Sequence, residues 1–356
     1  MIDFLDQTGI VLAVVLILLT FIYILLLFIL LLRIFEQIRL KKEKNFIARW
    51  ENKIFDYLCM DYNPNELIKL FPGSSYKYLL NNLRSYFLNL KGVDKEKIQR
   101  LINNTPLYGY LINRLKSFRK KNLIFAAYYL GLAQSEGAKF ILRKKLKIRN
   151  ELVFLTCALG LARMNDIDSI ASIFKEASKF KYLSRDTLQS IFLEFDESAC
   201  MQLLMTLDSE KSPVFKSVII AVLRYFKFAP AAPDILTYLF NEESTPILIE
   251  ALKYFGEVQY RDALAAIRFY LLNSKPEIRA EAIKAALKIG EPSLEERVWS
   301  LIYNHDRNVK VTAAESSYYF SKASREKLKM LAYSIPNTME SSIARMIVSE
   351  KSIHLN

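Results

Sequence analysis

The feature that most constrains this chain is an uncharged apolar run near its amino end. Residues 10–32 contain no charged residue, no Gly and no Pro. At a rise of about 1.5 Å per residue, a helix of that length covers roughly 35 Å, which is enough to cross the ~30 Å hydrocarbon layer of a bilayer. A helix also satisfies its own backbone polar groups in lipid. The run therefore predicts a transmembrane helix over residues 10–32.

The charges on either side of this run predict its orientation. Residues 1–9 contain two Asp and no Lys or Arg, whereas five Lys or Arg lie within positions 33–44. Cytoplasmic flanks carry the excess of positive charge. We therefore expect a single-pass protein of the cell (inner) membrane with its amino terminus outside and the rest in the cytoplasm. The alternative is a cleaved signal peptide, which has a basic segment before a shorter apolar stretch.

Two polar side chains, Thr20 and Tyr23, lie near the middle of the run. One interpretation is local, because Thr20 can donate a hydrogen bond to its own helix and Tyr23 can find a nearby acceptor. The other is that a second transmembrane helix supplies the acceptor, since polar groups in lipid seek partners. Thr20 and Tyr23 are therefore the candidate intramembrane contact.

The composition of the remaining chain predicts an all-α protein. The 356 residues are 52% hydrophobic and include only nine Gly and ten Pro, and periodic apolar stretches dominate. Three widely separated cysteines fit a reducing compartment better than a disulfide framework or a zinc site. The net charge of +13 is uneven, because residues 33–149 hold 25 Lys and Arg against 9 Asp and Glu. We expect this half to face anionic lipid or an acidic partner.

The sequence also repeats itself, with a period of about 30 residues that is typical of helical repeat proteins. The stretch 125–133 aligns with 154–162, which places Gly131 and Gly160 at equivalent positions of neighbouring periods. Each period contains two helical patterns, so the chain should form stacked helical hairpins. We expect the Gly near the end of each first helix to supply a left-handed cap. A second amphipathic helix then packs on the first.

One repeat resembles the HEAT family. Its matching residues are Pro276, Ile278, Arg279, Ala282, Ala285, Ile289 and Gly290, and the next repeat matches in part at Asp306, Val309, Lys310 and Ala313. The resemblance implies an α-solenoid, and the apolar run at 10–32 adds an N-terminal transmembrane helix in front of it. HEAT families work chiefly as scaffolds, so the resemblance also implies a binding role.

These patterns divide the chain into five segments. We predict a short extracytoplasmic terminus at 1–9, the transmembrane helix at 10–32, a basic juxtamembrane helical segment and cap at 33–121, HEAT-like repeats at 122–335, and a C-terminal helix or tail at 336–356.

No motif in the sequence predicts catalysis. There is no phosphate-binding Gly-Lys loop, dinucleotide fingerprint or zinc-protease motif, and only two His are present. The pair Asp166 and Asp168 falls where a second helix should begin, so helix capping explains it. We therefore predict that the chain is not an enzyme and has no cofactor or metal. An enzyme or ligand-binding protein on a HEAT-like scaffold is the alternative.

Basic residues mark one edge of the predicted repeats, and we name this set the basic edge. Its members are Arg114, Lys116, Arg119, Lys120, Lys121, Arg143, Lys144, Lys145, Lys147 and Arg149. Equivalent positions of a solenoid line up, so these cations should lie together. The edge can be a solvated surface, or it can bind lipid headgroups or an acidic partner. Nucleic acid is a less favoured alternative. The interleaved aromatics Phe118, Phe140, Phe180 and Tyr182 are expected at apolar helix positions.

Together these features predict a membrane-anchored, non-catalytic scaffold. Its cytoplasmic solenoid should bind a protein partner at the membrane, for example as an accessory subunit of a polysaccharide-synthesising glycosyltransferase.

Overall fold

The computed structural model describes residues 2–59, 63–241, 244–334 and 338–353, and within those ranges it contains helices and turns but no β-strand. The all-α prediction is therefore confirmed. The chain divides into two compact units, Met1–Asn113 and Arg114–Asn356, which we call unit 1 and unit 2. The last three residues of the predicted C-terminal segment, 354–356, and residues 336–337 lie outside the described ranges.

Unit 1 begins with one long helix, α1, which runs over Ile2–Cys59. Its stretch Val15–Lys42 is long and apolar enough to cross a membrane by length and composition, and none of that stretch is buried inside the protein. A signal sequence would pass the same test. Thr20 Oγ1 donates a hydrogen bond to the Ile17 carbonyl at 2.8 Å, which is the local interpretation of this residue, and Tyr23 is exposed.

Four helices follow α1 in this part of the chain, and the carboxyl end of α1 packs on the first three of them. The four are α2 (Pro64–Lys69), α3 (Tyr76–Asn89), α4 (Gly92–Asn103) and α5 (Pro106–Lys116), the last of which crosses the boundary between the units. Ile54 of α1 is buried, as are Leu79, Leu83 and Leu101. Tyr57 donates a hydrogen bond to the Lys97 carbonyl at 2.9 Å. The end of α1 is thus part of a folded core.

Unit 2 is a series of helical hairpins. The first helices are α6 (Lys120–Leu132), α8 (Glu151–Arg163), α10 (Arg185–Phe192), α12 (Pro213–Tyr225), α14 (Thr245–Val258), α16 (Pro276–Ile289) and α18 (Arg307–Phe320). The second helices are α7 (Lys139–Lys145), α9 (Ile170–Ala177), α11 (Cys200–Ser209), α13 (Ala232–Asn241), α15 (Leu264–Tyr270), α17 (Glu295–Ser300) and α19 (Lys322–Ser334), and α20 (Met339–Ile353) follows. Successive first helices pack on one another, as the HEAT-like resemblance predicts.

Local chemistry explains where many of these helices begin. Asn150, Ser184, Ser212 and Asp306 each accept a hydrogen bond from a backbone N–H in the first turn of α8, α10, α12 and α18. From α7 to α17, each second helix follows a 3₁₀ turn, such as Glu136–Ala138 before α7. The third residue of each turn is buried, so the turn anchors the second helix to the hairpin.

The first repeat in the structure is longer than the sequence alignment predicts. The alignment makes Arg149 the equivalent of Lys120, where α6 begins, whereas α8 begins at Glu151. Gly131 and Gly160 are therefore not equivalent positions. They meet each other instead, because a Cβ placed on Gly131 would lie only 2.7 Å from the Gly160 Cα. The two glycines that the sequence alignment equates are in fact in contact with each other.

The prediction that a glycine caps each first helix is wrong except at Gly290. Gly131, Gly160 and Gly256 lie inside their helices, and only Gly290 has the predicted positive φ, at 70°. After α6, α8, α12 and α14 the left-handed residue is a polar one, namely Gln134, Asn165, Lys227 and Gln259. The Gln134 side chain then donates a hydrogen bond to the Arg163 carbonyl at 3.0 Å, which joins α6 to the end of α8. Gln259 and the Lys288 carbonyl repeat this contact at 3.1 Å.

The residues that carry the HEAT resemblance connect neighbouring hairpins. Arg279 Nη1 donates to the Asn273 carbonyl at 2.6 Å, and its Nη2 donates to Asn304 Oδ1 at 3.1 Å. Lys310, which stands at the equivalent place one repeat later, is nearly buried and pairs with Glu340 of α20. Because the Glu340 carboxylate accepts this hydrogen bond, its pKa is lowered.

Candidate functional site

The basic edge lies mainly where second helices end and the next first helices begin. Arg114 and Lys116 occupy the last turn of α5, and Arg143, Lys144 and Lys145 occupy the last turn of α7. The remaining members follow in the connecting loops and the start of α6. Cations in the last turn of a helix interact favourably with its dipole, so part of this basicity has a structural cause.

Arg143 is engaged inside the protein. It is bound to the Asp166 carboxylate through two nitrogens and to Asp168 Oδ2 at 3.0 Å. Asp166 is only 3% exposed, and its hydrogen bond raises the pKa of the Arg143 guanidinium. The prediction that Asp166 and Asp168 cap a helix is wrong, because the Asp166 side chain makes no capping bond. The pair joins α7 to the next hairpin instead.

The other members differ in exposure. Arg114 is half-buried, donates to Asn122 Oδ1 at 3.1 Å and lies over the Phe125 ring. Lys145 is also half-buried. The exposed members are Lys116, Arg119, Lys120, Lys121, Lys144, Lys147 and Arg149. These seven side chains are the part of the basic edge that a ligand can reach.

A groove of about 520 Å³ lies between two loops of this edge. Lys147, Ile148 and Arg149 form one wall, and Lys179 and Phe180 belong to the other, where Lys179 pairs with the nearly buried Glu176. The groove therefore carries more positive than negative charge.

The aromatic side chains of this edge are exposed, contrary to the expectation that they occupy apolar helix positions. Phe118 is 103% exposed and Tyr182 is 85% exposed. Phe140 is exposed too, and Lys144 lies over its ring at 4.2 Å. Phe180 alone follows the prediction in part, because its ring packs at a tilt against buried Phe154 with ring centroids 5.1 Å apart.

A second surface, which the sequence analysis missed, lies on the second helices. We number the positions of each second helix from the first residue of its 3₁₀ turn, or from Lys322 in α19, which has no such turn. In every second helix the fifth, ninth and twelfth positions are exposed. Apolar side chains occupy many of them, between 48% and 72% exposed, and we name these the second-helix stripe: Met201, Met205, Phe240, Phe269, Leu272, Tyr303, Met330 and Tyr333. In α7 and α9 the same ninth and twelfth positions include Lys144, Lys147 and Lys175. The stripe thus runs from a basic end into an apolar row.

A buried carboxylate connects three first helices. Glu250 of α14 is 2% exposed and pairs with Arg185 of α10 at 2.9 Å, Arg224 of α12 at 3.4 Å and Lys253 at 3.0 Å. The Nε atoms of both arginines are buried and make no hydrogen bond to the described residues. Three cations therefore converge on one carboxylate.

Groups suited to catalysis or metal binding are scarce in the described ranges. No cluster of three or more His, Cys, Asp or Glu there could hold a metal ion. Cys157 and Cys200 are buried and unpaired, and burial raises the pKa of their thiols to about 12 and about 11. Both thiols therefore stay protonated at neutral pH.

Comparison with solved structures finds similar helical arrays. One is the complex of CpcE and CpcF of phycocyanin lyase from Nostoc sp., which is 16% identical with a TM-score of 0.34 over 67% of this chain and 92% of that chain. Another is human deoxyhypusine hydroxylase in complex with glycerol, which is 15% identical with a TM-score of 0.31 over 77% of this chain and 97% of that chain. No protein-family model and no curated protein matches this chain. At these identities the likeness concerns the fold alone.

The prediction that the chain is not an enzyme is wrong as a deduction from its fold. Both solved structures are enzymes by name, a lyase and a hydroxylase. A HEAT-like solenoid without a known motif does not thereby have to be a scaffold, because a fold does not determine a function. Neither the fold nor the lack of a motif excludes an activity.

Proposed function

We propose that this protein tethers a partner protein to a membrane: α1 anchors the chain, and the helical array of unit 2 binds the partner. The exposed second-helix stripe is the observation that carries the binding role. Soluble surfaces rarely expose rows of Met and aromatic side chains, and these residue types are enriched at protein interfaces. Anchoring raises the effective concentration of a partner at the bilayer. We infer that the protein serves as an accessory subunit of a membrane complex, such as a polysaccharide-synthesising glycosyltransferase.

The membrane part of the proposal is supported by α1. The most apolar 18 residues within its Val15–Lys42 stretch have a mean hydropathy of 3.3, and the side chains of Leu16, Phe21 and Leu26 are each more than half exposed. Exposing such a surface to water is unfavourable by about 25 cal/mol per Å². Burial in lipid removes this cost, and the basic residues that follow the uncharged run, from Arg33 to Lys44, favour a cytoplasmic unit 2.

The test is photo-crosslinking of the full-length protein in cells. A photoreactive amino acid replaces Phe269 or Leu272 on the stripe, and Tyr225 of α12 serves as the matched control because it is equally exposed on a first helix. We expect stripe positions to crosslink one protein of the membrane fraction and the Tyr225 position not to. The double variant F269E/L272E should lower co-purification of that protein at least tenfold, whereas L152E/Y225E should leave it unchanged.

Two results would contradict the proposal. One is release of the full-length protein from membranes by alkaline extraction, which would show that α1 does not anchor the chain. The other is equal recovery of the partner with F269E/L272E and with the unchanged protein, which would show that the stripe is not the binding surface. Matching circular dichroism melts of the variants would show that the exposed substitutions leave the fold intact.

A further inference from the structure

Three consecutive loops of unit 2 share one arrangement of side chains. They connect α5 to α6, α7 to α8, and α9 to α10, and in stacked hairpins such loops lie along the same edge. Each combines an apolar or aromatic residue with cations: Phe118 within residues 116–121, Ile148 within 147–149, and Phe180 and Tyr182 within 179–182. We name these residues the three-loop surface.

Phe118 is exposed although the local sequence offers it a place to be buried. Arg119 is the N-cap of α6, so Phe118 precedes the cap and Leu123 is the fourth helical residue. Residues at these two positions often pack together as a hydrophobic staple. Here Leu123 is buried without it, and Phe118 is fully exposed.

The loop that carries Phe118 is braced. Ser117 Oγ accepts hydrogen bonds from the Arg119 N–H at 3.2 Å and from Asn122 Nδ2 at 3.4 Å. Arg114 in turn donates to Asn122 Oδ1. These bonds fix the backbone on both sides, so the phenyl ring is presented to the outside by a rigid loop.

The cations around these rings are exposed. Lys116, Arg119, Lys120 and Lys121 surround Phe118, and Lys181 lies over the Tyr182 ring at 5.7 Å. The groove lined by Lys147, Arg149 and Lys179 lies between the second and third loops. Its volume of about 520 Å³ suits a small anionic group.

From this geometry we propose that the three-loop surface docks on an anionic lipid bilayer. The exposed rings enter the boundary between headgroups and acyl chains, and the surrounding Lys and Arg bind the lipid phosphates. Charge favours this partner, because the cations outnumber the one carboxylate, Glu176, that lines the groove. Apolar tips favour a bilayer over nucleic acid, since Phe118 and Ile148 offer no hydrogen bond that reads a base edge. This surface shares Lys147 with the basic end of the second-helix stripe but none of the stripe's apolar residues, and it does not require a protein partner.

The test measures binding to added vesicles. The full-length protein is reconstituted in nanodiscs of neutral phosphatidylcholine, so that α1 is already in lipid, and is floated with vesicles of phosphatidylcholine alone or with one-third phosphatidylglycerol. We expect binding to the anionic vesicles only, and loss of that binding at high salt.

Substitutions then locate the contact. K120Q/K121Q should weaken vesicle binding about thirtyfold, since each cation near the surface contributes a factor of about five. F118S should weaken it about tenfold by removing the inserted ring. The matched control is K227Q/R261Q, which removes two exposed cations from the connections that lead from first to second helices. The control should bind as the unchanged protein does.

An environment-sensitive dye gives a second readout. It is attached to F118C in a C59S background, because the other two cysteines are buried, and to Y225C as the control. Anionic vesicles should increase its emission at position 118 and not at 225. Equal binding to neutral vesicles, full binding by K120Q/K121Q, or no dye response at 118 would overturn the proposal. So would binding of an oligonucleotide that depends on the same residues in place of vesicle binding. None of these outcomes depends on whether α1 spans a membrane.

Discussion

Gly131 and Gly160 lie where the backbones of α6 and α8 meet. The close approach leaves no room for a side chain, since a Cβ on Gly131 would be 2.7 Å from the Gly160 Cα. A glycine inside a helix costs about 1 kcal/mol in propensity. At this contact the cost is offset because the two helices pack at a distance that alanine would not permit.

Replacing Gly131 should therefore destabilise the protein. We expect G131A to lower the free energy of unfolding by about 1–3 kcal/mol through overpacking. The matched control is G109A, because Gly109 lies inside α5 and a Cβ there meets nothing within 4 Å. The control should gain about 0.5–1 kcal/mol from helix propensity. Urea unfolding of both variants measures the two effects, and equal stability of G131A and the unchanged protein would contradict the contact.

Glu295 gives the protein a pH-dependent contribution to stability. Ser321 and Ser324 donate hydrogen bonds to its carboxylate, and these lower its pKa from 4.5. The unfolded chain therefore binds a proton more readily than the folded one. The contribution is present above about pH 4.5 and is lost as the pH falls through the lowered pKa.

The measurement compares melting of the unchanged protein with that of E295Q across pH. We expect E295Q to be less stable at pH 7, because its neutral amide accepts weaker hydrogen bonds from the two serines. The difference should shrink below about pH 4.5, where the unchanged carboxylate also becomes neutral. A difference that stays constant from neutral to acid pH would show that the carboxylate charge does not matter.

At the scale of elements, Glu250 holds three first helices together. Its carboxylate binds Arg185 of α10, Arg224 of α12 and Lys253 of its own helix. Helix α10 is short, so it offers less packing surface than its neighbours. The charge network compensates by joining α10 to α12 and α14.

We expect E250Q to loosen this part of the array. Removing the charge leaves the cations without their anion, and because they are partly exposed the expected cost is about 1–3 kcal/mol. Hydrogen exchange should rise in α10, α12 and α14 more than in α16. The control E281Q breaks only a helical surface pair with Lys284 and should change stability by less than about 0.5 kcal/mol. Uniform exchange across the hairpins in E250Q would contradict the network.

At the scale of the whole molecule, the apolar part of α1 should be dispensable for folding. The described side chains from Val15 to Ile38 are exposed, whereas Ile54 and Tyr57 near the end of the helix are buried. Deleting residues 2–44 should give a protein that needs no detergent and melts at an unchanged temperature by circular dichroism. The variant I54A should instead lose about 2–5 kcal/mol, because it opens a cavity. A lower melting temperature of the deletion would show that the apolar stretch packs on the fold.

The sequence predicted the fold better than it predicted the site. Helical periodicity and the Pro276–Gly290 pattern were sufficient for the hairpins, since both depend on local spacing. The repeat length was wrong because Gly131 and Gly160 have the same neighbours in sequence while they contact each other in space. A glycine that caps a helix and one that admits a close contact look alike in a sequence.

The sequence predicted the candidate site only in part, because it does not show which side chains of neighbouring hairpins meet. Composition located the cations, but it did not show that Arg143 is paired with Asp166, which lies on the next hairpin. The second-helix stripe was missed because an apolar residue such as Phe269 fits the packing face of an amphipathic helix equally well. Comparing the ninth and twelfth positions of successive repeats would have revealed it.

Helix α1 has a mechanical consequence. It continues from Ile2 to Cys59 without a break and is about 87 Å long at the usual rise per residue. Ile54 and Tyr57 fasten its far end into the core of unit 1. A continuous helix couples its two ends mechanically. In the membrane-anchored arrangement proposed above, a tilt of the apolar stretch would therefore be passed along α1 to the folded part of unit 1.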